Sequence, residues 1–208
     1  MINTVIRRLL ASFVVAAMLI AGFSVIAVTQ ASHAYADSTV GGPITRAEVL
    51  ARAQTWVDRR IQYNLTRSQG SLTTDPDGAH KYGPDCSGYV SMAWHLSPGS
   101  AGGLNTSGFA AWSGKSYLGS LDDLKPGDAL LKDGHIELFA RWKDDGNHGQ
   151  GAYVYSLNGG DDPDGDGWQN DWAKFALNSW SEMVGYRPIR YNNIVDSPST
   201  DLPNGEQL

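Results

Sequence analysis

The sequence predicts an α+β domain in which a cysteine-bearing helix precedes a set of antiparallel strands. Three observations carry this expectation. A helix start at Pro84-Asp85 leads into the chain's one cysteine, Cys86, and an apolar face at Tyr89, Val90, Ala93, Trp94 and Leu96. Ala129 to Lys132 reads as a strand, joined by the tight turn Asp133-Gly134 to an alternating strand, His135 to Trp142. After a polar tip, Lys143 to Gly151, the chain returns as Tyr153 to Asn158.

Residues 1–36 read as an export signal. Arg7 and Arg8 precede an apolar run from Leu9 to Val28, and Ala34-Tyr35-Ala36 is a small-x-small cleavage site. Cleavage predicts a secreted or cell-wall-associated protein. Left uncleaved, the run of roughly 20 apolar residues would be the chain's one hold on a membrane. The segment carries two Arg and no acid. Its loss leaves 14 basic and 22 acidic residues, a formal net charge of −8, which excludes nucleic acid as a partner because phosphate binding needs the opposite balance. The remaining 172 residues suit one domain, and a single cysteine allows no internal disulfide.

The domain spans 37–191. It opens with a loop from Asp37 to Ile44 and a helix whose apolar face is Val49, Leu50, Ala53, Trp56 and Val57, with Thr45 and Glu48 spaced as a capping box. A polar loop from Thr66 to Gly83, containing the turn Asp75-Pro76-Asp77-Gly78, feeds the Cys86 helix and is expected on the substrate side. Residues 97–119 read as a connection with little regular structure, and 171–183 show no clean period. Tyr186 to Tyr191 is a last strand whose Pro188 predicts a sheet edge. Residues 192–208 are Pro-, Ser- and Asn-rich and read as a disordered tail.

Cys86 in the first turn of a helix is the candidate nucleophile. Unpaired N–H groups and the helix dipole favour its thiolate, while the adjacent Asp85 carboxylate opposes it, so a nearby imidazolium is required. Four of the five histidines are unsuited. His33 leaves with the signal, His80 and His148 lie in polar loops, and His95 is nine residues from Cys86, about 13 Å along a helix. His135 is therefore the candidate base. Antiparallel pairing around the polar tip brings Ser156 or Asn158 beside it as the group that orients the ring. Separately, Asp162, Asp164 and Asp166 with Gly167 form the first half of a calcium loop, although its twelfth position is Ala173 where an acid is wanted.

Asp85-Cys86-Ser87-Gly88-Tyr89-Val90 at a helix start, Leu124-Lys125-Pro126-Gly127-Asp128-Ala129-Leu130, and His135-Ile136-Glu137-Leu138-Phe139 opening a strand, in that order, resemble the NlpC-type cysteine peptidases that cut bacterial cell-wall peptides. The likeness covers residues 45–191. It implies a papain-like fold, with Cys86 as nucleophile and His135 as the base that later protonates the leaving amine. The third residue would be a polar side chain on the following strand, Ser156 by position or Asn158 by chemistry. Tyr63 would contact the oxyanion or substrate, and Asp85 and Ser87 the substrate peptide. The resemblance implies cleavage of peptidoglycan stem peptides, most commonly at the γ-D-glutamyl-diamino acid bond, with no required cofactor. The alternative on the same fold is a catalytically weak wall- or calcium-binding module.

Overall fold

The computed structural model describes residues 38–159 and 171–196. The export signal, the tail beyond Asp196 and the half-loop of Asp162, Asp164 and Asp166 lie outside the described residues. The architecture is α+β, with one mostly antiparallel sheet and few helices. In chain order the elements are β1 (Ile44–Thr45), α1 (Arg46–Asp58), β2 (Thr73–Thr74), β3 (Lys81–Tyr82), α2 (Cys86–Ala93), α3 (Thr106–Ala111), β4 (Lys115–Tyr117), β5 (Ala129–Lys132), β6 (His135–Trp142), β7 (Ala152–Ser156), β8 (Lys174–Asn178), α4 (Trp180–Met183), β9 (Arg187–Tyr191) and β10 (Ile194–Val195). Among the described residues no helix is long and apolar enough to cross a membrane.

Six strands form the main sheet in the order β4-β9-β5-β6-β7-β8, every pair antiparallel. The Asp133-Gly134 turn pairs Lys132 with His135 as expected, and Gly134 takes the positive φ, +76°, that such a turn needs. Ala129, Leu131, Ile136, Leu138 and Ala140 join one core with α1 and α2, while Leu130, Phe139 and Val154 join a second with Met183 and Tyr186. Period-2 alternation predicts Trp142 on the Ile136 side. It sits instead with Phe139, because Phe139 and Arg141 face consecutive residues of β7, Val154 and Tyr153. That bulge at Ala140 inserts one residue and exchanges the two faces beyond it.

The two main helices pack through aromatic contacts. The Trp56 and Tyr89 rings stack 5.4 Å apart, and the Tyr89 hydroxyl donates to Ala53 O at 2.7 Å. Trp94 Nε1 donates to Gly127 O at 2.7 Å, tying the end of α2 to the turn before β5. Only half of the capping box forms. Thr45 Oγ1 accepts from Glu48 N at 3.1 Å, but the Glu48 carboxylate turns inward to accept from Ser38.

Several expectations change. The connection 97–119 contains α3, capped by Asn105, and strand β4. Residues 171–183 contain β8 and α4, the latter closed by a capping box between Ser179 and Glu182. β9 lies inside the sheet, not at its edge. Pro188 is tolerated because its carbonyl accepts from Leu118 N, which puts its missing N–H on the same side, just past the end of β4. Ile194–Val195 forms β10, parallel to β1, where the tail was expected to have begun.

The approach to Cys86 depends on Gly88. A Cβ there would lie 1.9 Å from Gly83 O, which is backbone and cannot swing aside. Gly88→Ala is expected to destabilise by about 1–3 kcal/mol or more through overpacking, read as a lower urea midpoint at unchanged slope.

Candidate active site

Cys86 begins α2, and Asp85 caps it. Asp85 Oδ1 accepts from Ser87 N at 3.0 Å and Gly88 N at 2.9 Å. The carboxylate is almost wholly buried and is paired by Arg67, with Nε to Oδ2 at 2.5 Å and Nη2 to Oδ1 at 2.7 Å. Arg67 Nη2 also donates to Ser87 Oγ at 2.8 Å, and the guanidinium reaches Gly103 O and Leu104 O at 3.0 and 3.2 Å. Asp85 and Ser87, expected to contact substrate, are thus bound internally, and neither lines the cavity described below. Arg67 cancels the charge that would oppose a thiolate at Cys86.

His135, at the start of β6, interacts with Cys86 on one side and Glu137 on the other. Its Nε2 lies 3.2 Å from Glu137 Oε1, which leaves Nδ1 as the nitrogen that can face the thiol. Burial lowers the imidazole pKa, but the hydrogen bonds and charges of Cys86 and Glu137 outweigh it and raise the value to about 9. An imidazolium beside Cys86 supplies the positive charge that favours the thiolate. Glu137 is itself buried, and its Oε2 accepts from Asn178 Nδ2 at 2.6 Å. Tyr186 stands against the same carboxylate. Burial, with the Glu137 and Cys86 charges, raises its phenol, which keeps its proton to donate toward Glu137.

These groups open onto one cavity of about 580 Å³, lined among others by Tyr63, Cys86, His135, Glu137, Ser156 and Asn158. Ser156 and Asn158 are therefore brought to the site, but among the described residues no hydrogen bond joins either to His135. The side chain that holds the ring is Glu137. Tyr63 is where the sequence places it. Burial, followed by the Cys86 and Asp85 charges, raises its pKa to about 12 despite Arg67, so the hydroxyl remains a donor at neutral pH. Its ring packs so closely on Gly159 that a Cβ there would lie 2.2 Å from it.

Sequence reasoning missed Glu137, Asn178, Tyr186 and Arg67. Glu137 carried a signal, since residues two apart on a strand share a face. The other three reach the site from 41, 51 and 19 positions away from Glu137, Glu137's partner His135 and Cys86 respectively, with no local pattern to mark them. Comparisons of this chain with protein-family models, curated proteins and solved structures give no match.

Two outcomes follow from this geometry. Arg67→Leu leaves the buried Asp85 charge unpaired and is expected to cost about 3–5 kcal/mol in denaturant unfolding. An imidazole raised from 6.5 to about 9 contributes stability fully below pH 6.5 and loses it as pH climbs through 9. Unfolding free energy should therefore fall over that window by about 3 kcal/mol, and Glu137→Gln should flatten the fall and lower the His135 midpoint in an NMR titration.

Proposed function

We propose that the protein is an exported cysteine hydrolase that cuts amide bonds in peptidoglycan stem peptides, on a papain-like arrangement of helix and sheet. The observation that carries this reading is the set Cys86, His135 and Glu137: a thiol at a helix start, an imidazole in reach of it, and a buried carboxylate holding that imidazole, all at one cavity. This is the order of nucleophile, base and orienting group that acyl transfer needs.

In this mechanism the Cys86 thiolate attacks the amide carbon, and the carbonyl oxygen takes up the negative charge. The Cys86 N–H, which has no hydrogen-bond partner among the described residues, and the Tyr63 hydroxyl are the donors available to receive it. The His135 imidazolium gives its proton to the leaving amine, which departs as the thioester forms. His135 then takes a proton from water, whose oxygen attacks the thioester and releases the acid and the Cys86 thiolate, restoring the starting pair. No cofactor enters the scheme.

A stem peptide suits the cavity because Lys132 and Lys174 line it, and such peptides carry free carboxylates. The export signal read from the sequence puts the protein on the same side of the membrane as the wall. The γ-D-glutamyl-diamino acid bond is the proposed point of cleavage. Mass spectrometry of peptidoglycan fragments incubated with the protein is expected to show products of that cut, absent with Cys86→Ala. Glu137→Gln should lower kcat by about 10²- to 10⁴-fold, the usual worth of positioned acid–base catalysis. An inert wild-type protein that is folded would overturn the reading.

A further inference from the structure

The far end of α2 carries a second, partly buried polar cluster, none of whose members lines the Cys86 cavity. His95 follows the helix in the left-handed region, at φ +51°. Its ring meets the tip of the β2–β3 hairpin, which supplies Asp75, Asp77 and His80. One ligand atom from each of Asp75, His80 and His95 lies within 4.8 Å of the others, and Asp77 Oδ2 is 3.8 Å from His95 Nε2.

Hydrogen bonding outside the cluster leaves its inward atoms unpartnered. Asp75 Oδ1 accepts from Ala79 N and His80 N at 3.0 and 3.2 Å, whereas Oδ2 has no hydrogen bond. His95 Nδ1 lies 2.8 Å from Ser38 Oγ, and that hydroxyl donates to Glu48. With its proton committed to Glu48, Ser38 accepts from Nδ1–H, so a neutral His95 ring turns the Nε2 lone pair into the cluster. His95 Nε2, Asp75 Oδ2 and His80 Nδ1 are all buried without a hydrogen-bond partner, and Asp75 and His95 are only 2% and 5% exposed. A lone pair and a carboxylate oxygen face to face repel, and neither Arg52 Nη2 at 3.6 Å nor His80 Nδ1 at 3.3 Å makes a hydrogen bond to Asp75 Oδ2, which leaves room for a cation among them.

Charge counting points the same way. Arg52 is the cation at hand, with Nη1 2.6 Å from Asp77 Oδ2 and Nη2 3.6 Å from Asp75 Oδ2. Against it stand Glu48, Asp75 and Asp77, so with neutral imidazoles the cluster carries a formal charge of −2. One divalent ion cancels it. The end of a helix, where the dipole is negative, favours a cation as well.

We propose that Asp75, His80 and His95, joined by Asp77, bind a divalent transition metal of the zinc class. Two imidazoles and two carboxylates make a zinc-type donor set and a poor one for calcium or magnesium. Zinc bonds of about 2.0–2.1 Å put tetrahedral ligands about 3.3 Å apart, so the side chains would draw together by roughly 1 Å. Ser38 and Glu48 form the outer shell that orients His95. Four protein ligands leave no open position, which makes the role structural: the ion clamps the hairpin to the end of the cysteine helix.

The test is a zinc titration of the chelator-stripped full chain against a chromophoric competitor, in wild type and in Cys86→Ala, His80→Ala and Ser38→Ala. One zinc per chain is expected in wild type and equally in Cys86→Ala, which separates this site from the thiol. Ser38→Ala should weaken binding by about 10- to 100-fold, and His80→Ala by at least as much. Zinc should raise the thermal midpoint of wild type and not of His80→Ala, a partly exposed residue whose loss leaves the core untouched. Absence of micromolar zinc binding by folded wild-type protein would overturn the proposal. So would binding that His80→Ala leaves unchanged or that Cys86→Ala removes, and neither result bears on whether the protein is a hydrolase.

Discussion

The buried pair of Asp85 and Arg67 sets the position of everything near the thiol. One carboxylate oxygen closes the first turn of α2 by accepting from Ser87 N and Gly88 N, and the pair of oxygens together accepts the fork of Arg67. A carboxylate taken this far from water carries a desolvation penalty of several kcal/mol, which only a well-aimed counter-charge offsets. Arg67 supplies it from a loop residue at φ +45° and donates as well to the Ser87 hydroxyl and to the Ala101, Gly103 and Leu104 carbonyls. A single side chain thus joins three segments: the loop before the hairpin, the start of the cysteine helix, and the connection after it. Gly88 adds the steric half of the constraint by letting Gly83 O approach the helix where any side chain would block it. The place of Cys86 is therefore decided by contacts far apart in the sequence.

That distance explains what the sequence revealed and what it hid. α1, α2, the β5–β6 hairpin and the return on β7 were legible because each rests on a local signal: a cap, a helical period, an Asp-Gly turn or alternation. Cys86 was marked by its helix start and His135 by elimination among five histidines, whereas Tyr63 was singled out only by the family resemblance. The bulge at Ala140 was not legible, since an inserted residue leaves alternation looking intact while exchanging the faces beyond it. Pro188 misled because the edge rule assumes that a ladder bond is lost, and here the missing N–H falls beyond the end of β4. α3, β4, β8 and α4 are six residues or fewer, too short for a period to show. Glu48 was read as half of a cap, but its buried carboxylate takes the Ser38 hydroxyl as its partner in place of the helix end.

The identity of the residue that holds His135 has chemical consequences. Ser156 or Asn158 would have reached the ring across the hairpin, so their aim would vary with strand register. Glu137 stands two residues from His135 on the same strand, and the backbone that places the base also places its partner. Asn178 then fixes the carboxylate itself, with the Tyr186 phenol beside it. The larger difference is charge. A serine hydroxyl or an amide orients an imidazole without stabilising its protonated form, whereas a buried carboxylate does both. With Glu137 behind it and Cys86 before it, the ring holds its proton to about pH 9. On the proposed mechanism the ring in that state already carries the proton for the leaving amine, and its positive charge lies beside the Cys86 sulfur. A carboxylate in the third position therefore keeps a positive charge beside the Cys86 sulfur, which a serine or an amide in that place would not do, and on the proposed mechanism that charge favours the attacking form of the nucleophile.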